Sequence, residues 1–151
     1  MFDYKHYVSV LRWKAAEKEA LEKLSYKEKN FLTPLIELIM PQPSEFRVKE
    51  GDSERIKTPD ELLNESIEKL KNKIPEIPEE ILKYWGTDPV FIDLSLVDFS
   101  LRTNSLEQIL LEGSSKGLYL IPVVTLASDS ALKKITASHA QKNKQSICLR
   151  L

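Results

Sequence analysis

The chain is poor in the residues that enzymes borrow most often. Among 151 residues it has one cysteine, Cys148, and two histidines, His6 and His139. A lone cysteine excludes an intramolecular disulfide. Three such donors are too few for a zinc centre of the usual nitrogen–sulfur type, so any metal would be a hard cation such as Mg²⁺ or Mn²⁺ on oxygen ligands. Glycine is equally scarce, with four residues at 51, 86, 113 and 117. Nucleotide-binding sheets place glycines after the first strand, where backbone must approach a pyrophosphate. Here that turn reads "RWKAAEK".

Long apolar runs are also missing. No stretch approaches the roughly 18 residues of a membrane span, and the opening "MFDYKHYVSVLRWK" lacks the apolar segment of a secretory signal. No membrane partner is expected, and the expected setting is cytoplasmic. Nor does one sign of charge dominate: 22 basic residues face 23 acidic ones, a net charge of −1. That balance supplies no global field for nucleic acid, so a nucleic-acid contact would need a local basic patch.

What the chain does have is a repeat. Five segments rich in Val, Ile and Leu read as strands covered on both faces: 7–13, 32–40, 89–97, 118–126 and 146–151. Helical patterns lie between them. "KAAEKEALEKLSYKEKNF" carries Ala16, Ala20, Leu21 and Leu24 on one stripe. "TPDELLNESIEKLKNKI" opens with a capping box, Thr58 as N-cap, Pro59 next and Glu61 three after the cap. Leu62, Leu63, Ile67, Leu70 and Ile74 form its apolar face, and Pro75 stops it. "NSLEQILLEG" places Asn104 at the cap and Gly113 at the end, and Ser128 caps a fourth helix.

Strands starting near 8, 32, 90, 118 and 146 are spaced by 24, 58, 28 and 28 residues. One spacing is doubled by a polar, aperiodic excursion at about 41–57 and by a short helix over 78–86. The excursion reads as a loop, a lid or simply a mobile segment. Alternating β and α units argue for parallel strands with right-handed crossovers. The expected fold is a single α/β domain over 1–151, TIM-barrel-like, with parallel β/α repeats, five strands and four main helices. A full barrel takes about 250 residues, so this is expected to be a partial barrel. It would be a shortened gene product or one partner of a split or paired assembly, with a homo-oligomer or a second chain joining at an exposed sheet edge.

These segments carry a resemblance. "YVSVLRWK", "LTPLIEL", "VFIDLS", "IPVVTL" and "ICLRL" resemble the uncharacterised "beta protein" family of phages, prophages and bacterial mobile or defence-associated loci. The resemblance spans essentially the whole chain. It implies a barrel-like α/β fold, with this chain matching the N-terminal portion of longer members, and it carries no activity.

In parallel α/β folds, binding and catalysis gather at the carboxyl ends of the strands. Those ends hold Arg12 and Lys14, Glu37, Asp93 with Ser95, Thr125, and Arg150. An unpaired buried charge costs several kcal/mol, on the order of a whole domain's stability margin. Period-two alternation allows all of them to face one rim, with Trp13 turned to the helices. One reading is an anion site in which Arg12, Lys14 and Arg150 hold phosphate or carboxylate groups. A second is a phosphodiester-type, metal-assisted hydrolase in which Glu37 and Asp93 are catalytic or hold Mg²⁺ or Mn²⁺. A third is an ion-pair network that only positions the strands. His139 reads as a last-turn histidine on the helix dipole, His6 as a surface residue, and Cys148 as a small buried hydrophobe.

Overall fold

A computed structural model describes residues 6–44, 46–51 and 53–151. The chain begins with strand β1 (Tyr7–Leu11), helix α1 (Ala15–Glu22) and a single helical turn, α2 (Tyr26–Lys29). Strand β2 (Leu32–Ile39) leads to a hairpin of β3 (Arg47–Glu50) and β4 (Ser53–Ile56), then to α3 (Pro59–Lys73) and, through a 3₁₀ turn, to α4 (Ile77–Tyr84). The rest alternates: β5 (Val90–Leu96), α5 (Phe99–Ser115), β6 (Leu120–Thr125), α6 (Ser130–Asn143) and β7 (Cys148–Arg150). Five parallel strands in the order β1-β2-β5-β6-β7 curl into a half-barrel, as the repeat predicts.

Register assigns the faces. Ile36 pairs with Ile92 and Val90 with Leu120, all fully buried under the helices. Trp13, Leu106, Ile109, Ile77 and Ile81 complete that outer core. The alternate residues Leu35, Phe91, Ile121 and Val123 form a second, smaller apolar cluster on the inner, concave face.

Several local expectations shift, each for an identifiable reason. Strand β1 stops at Leu11 because Trp13 is left-handed, φ 58°. The twist turns the indole into the outer core, where Nε1 donates to Glu80 Oε2 at 2.8 Å. The first helix breaks after Glu22 because Ser25 opens a second capping box with Glu28. Ala16 and Ala20 face solvent, while Leu21 is buried and Leu24 packs against the same core. On α3 the Thr58 box forms as read, but Leu63 is exposed and Ser66 takes a buried position, its hydroxyl donating to Leu62 O.

Helix α5 starts at Phe99 under an Asp98 cap, so Asn104 lies inside it. Helix α6 is capped by Asp129, and Ser128 instead accepts from Thr125 N–H. The excursion holds an antiparallel hairpin that turns at Gly51 (φ +62°). Its strands were illegible because their side chains are polar and their contacts are ionic. Arg55 forks onto Glu61 with two 2.7 Å bonds, and Lys57 meets Glu65 at 2.7 Å. Those bonds, with further ones from Thr58 and Ser44 N–H and from Lys69, hold both carboxyls down at about 2.

Gly113 is not a terminator but a gap in the side of α5. A Cβ there would lie 2.3 Å from Leu120 Cδ1, the tip of a fully buried side chain. Gly113→Ala is therefore expected to lower unfolding stability. Overpacking costs about 1–3 kcal/mol, and at most about 1 kcal/mol returns through helix propensity. Urea denaturation measures the difference, and a more stable variant would show that Leu120 has room to move.

Candidate functional site

The parallel register sets Glu37 of β2 directly beside Asp93 of β5, on the inner face above Leu35 and Phe91. Glu37 is 5% exposed and Asp93 1%. Two adjacent carboxylates in an apolar wall repel one another and disfavour their own charge. Cations from the two edge strands answer them. Arg150, at the end of β7, reaches across β6 and places Nη1 3.0 Å from Glu37 Oε1 and 2.7 Å from Asp93 Oδ2. Arg12, just past β1, sets Nε 3.0 Å from Glu37 Oε2. The remaining oxygen, Asp93 Oδ1, accepts from Ser95 N–H at 2.8 Å.

That last bond sits on a β-bulge. Glu37 pairs with Asp93, but Ile39 pairs with Leu96, so β5 carries one extra residue. A bulge frees backbone groups and re-aims side chains. Asp93 satisfies the freed N–H, and Arg102 Nη2 ties down Ser95 O and Val97 O, both at 2.9 Å. Arg102 lies on a helix whose start was misplaced in the sequence reading, so nothing in the pattern marked it as a support of the rim.

Charge is graded outward. Both carboxylates are buried, whereas the side chains of Arg12 and Arg150 are 49% and 44% exposed. Glu37, then Asp93, raises the Arg150 pKa above the ordinary guanidinium value, so its charge is permanent. Each guanidinium spends only one nitrogen inward, Nε of Arg12 and Nη1 of Arg150, and among the described residues the others make no bond. Beside Arg150 opens a cavity of about 400 Å³ lined by Glu37, Ser95, Leu96, Thr125, Leu126 and Arg150, among others, while Arg12 lies behind Glu37 and does not line it.

Lys14 stands apart from this group. Beyond the left-handed Trp13 the strand alternation no longer applies, and Lys14 is exposed at the start of α1, its N–H donating to Glu17. Its ammonium makes no ion pair among the described residues. No group of three or more His, Cys, Asp or Glu with metal-ligand geometry occurs among them either. A larger cavity, about 730 Å³, lies outside the barrel beside α4, lined by Glu76, Glu79, Glu80, Tyr84 and Lys116 among others. Lys116 and Lys18 already pair with Glu79 and Glu80 there, and no strand end opens into it.

The other candidates are structural. His139 is buried and bonded to Gln145 and Asn143, and Gln145 in turn to Leu118 O, which pins the end of α6 to the entry of β6. His6 lies half-buried against the Thr33 hydroxyl at 2.9 Å rather than on open surface. Cys148 joins the inner apolar cluster, and burial pushes its thiol pKa up.

Fold and rim together define a partial β/α barrel whose concave mouth is ion-paired between buried carboxylates and half-exposed arginines. The chain belongs to the Beta protein family, whose model matches residues 7–151. No curated protein and no solved structure matches it. Among the described residues no helix is long and apolar enough to cross a membrane.

The two arginines are not equivalent. Among the described residues Arg150 is the sole cation on Asp93, whereas Glu37 has both arginines. Arg150→Ala should destabilise the fold more than Arg12→Ala, because a buried acceptor left unpaired costs about 1–3 kcal/mol, more when charged. Asp93→Asn in the Arg150→Ala background should recover part of the loss. Thermal unfolding of the three variants and the parent checks the order. Equal effects of the two single substitutions would mean that the network is shared evenly.

Proposed function

We propose that the rim is a ligand site for anions, with Arg12 and Arg150 as the binding groups and Glu37 and Asp93 as the anchors that hold them. The observation that carries this reading is the outward grading of charge, with both arginines half-exposed over buried carboxylates and Arg150 lining a cavity. Stability alone is a weak reason for such a network, since replacing a buried ion pair by apolar side chains is often neutral or favourable. Arginines pre-oriented by carboxylates lose little side-chain freedom on binding, which favours planar or tetrahedral oxyanions. Lys14 is not counted in this clamp.

The hydrolase reading, with Glu37 and Asp93 as general base or as ligands of Mg²⁺ or Mn²⁺, has less support. Both carboxylates are committed to arginines, and no third acidic or imidazole group joins them among the described residues. A setting in a phage, prophage or defence-associated locus belongs to the same proposal and rests on what the resemblance to the family implies, while a cytoplasmic one rests on the single cysteine and the lack of a signal-like apolar run.

Titration with acetate and with inorganic phosphate tests the anion reading. Amide shifts should move at Ser95, Thr125 and Arg150, and Arg12→Gln/Arg150→Gln should weaken the response about tenfold or more, as expected for losing charge-assisted bonds. Shifts that are absent, or unchanged in the double variant, would leave the network a purely structural one.

One observation favours a second role. Among the described residues the sheet order ends on β1 and β7, each paired on one side only, and Val8 and Val10 stay exposed on the inner face of β1. Edge strands of this kind are templates for further pairing. An assembly that closes the barrel through β1 should be dispersed by Val10→Lys without loss of helix signal. Light scattering that reports a monomer for the parent at high concentration would remove this reading.

A further inference from the structure

The anion site also has a shape and a charge count, and these narrow its ligand. We propose that the rim takes a small aliphatic monocarboxylate, its head on Arg150 and its chain along Leu96 and Leu126; this rests on the anion reading above. The charge count comes first. Two carboxylates and two guanidiniums already balance, so one added negative charge falls on Arg150, the cation that lines the cavity. A dianion such as a phosphate monoester would place a second negative charge beside Glu37, which itself lines the cavity. Like charges at that distance repel strongly where water is scarce.

The head geometry is next. A guanidinium offers parallel N–H donors in a plane, matched to the two oxygens of a carboxylate. At the cavity, Nε and Nη2 of Arg150 make no hydrogen bond among the described residues.

The walls decide the rest of the molecule. Leu96 is 46% exposed and Leu126 73%, large apolar surfaces left in water at the mouth, with Ala127 between Leu126 and the Ser128 turn. Among the described residues no aromatic side chain lines this cavity, and a nucleobase would want a ring to stack on. The hydroxyl of Thr125 is already engaged with Ser128, so the wall offers little to a sugar. About 400 Å³ suits a short chain.

The experiment is a chemical-shift titration of the intact protein with sodium hexanoate, acetate, inorganic phosphate and hexylammonium at constant ionic strength. Hexanoate should bind about tenfold or more tightly than acetate, as partial burial of four extra methylenes implies, and more tightly than phosphate. Leu126→Ser, at an exposed position, should cut the preference for hexanoate over acetate severalfold. Equal affinity for hexanoate and acetate, or tighter binding of phosphate, overturns the ligand class while the anion site stands. Hexylammonium binding at the same residues as strongly as hexanoate also overturns it, since Arg150 would then not be read. No response to any of the three anions sinks both readings together.

Discussion

Glu37 and Asp93 sit side by side because a parallel register leaves them no alternative. Each strand must send alternate residues to the inner face, and the apolar cluster of Leu35, Phe91, Ile121 and Val123 sets which ones. Two buried carboxylates then follow at the carboxyl end, and they are tolerable only if cations reach them. Those cations come from the two ends of the chain. Arg12 follows the first strand and Arg150 closes the last, so a single polar cluster links β1, β2, β5 and β7 across the hollow of the sheet.

That linkage also explains why a three-residue strand holds its place. Strand β7 pairs with β6 alone, and much of it is exposed. Its backbone pairing is short, but Arg150 reaches over β6 to both carboxylates and fixes the curl of the sheet from inside. The outer layer contributes differently, through large buried side chains such as Trp13, Ile92 and Ile109 packed under the helices. Apolar area makes the layer stable, and the ion pairs make the inner face specific.

Much of the fold was legible because period and composition are local. The near-equal spacing of apolar segments predicted a parallel β/α arrangement, and the Thr58 capping box marked the start of α3 to the residue. Other boundaries were set by contacts that no pattern carries. Asp98 caps α5 six residues before Asn104 because its side chain reaches Ser100 N–H. Gly113 looks like a helix end in sequence, yet it is an inlet for Leu120. The hairpin over 47–56 has neither apolar alternation nor a core of its own, and it is held by carboxylates on α3.

By itself the sequence determined the order of the parallel β/α units and the presence of Glu37, Asp93, Arg12 and Arg150 at strand ends. Only the tertiary structure decided that these four meet while Lys14 does not, because a left-handed Trp13 cuts the alternation between Arg12 and Lys14. It alone decided that the arginines lie outward of the carboxylates, and that Leu96 and Leu126 line one cavity with Arg150. Alternation assigns a residue to a face, whereas its depth, its partner and the space in front of it depend on sheet curvature and on strands more than a hundred residues away in the chain.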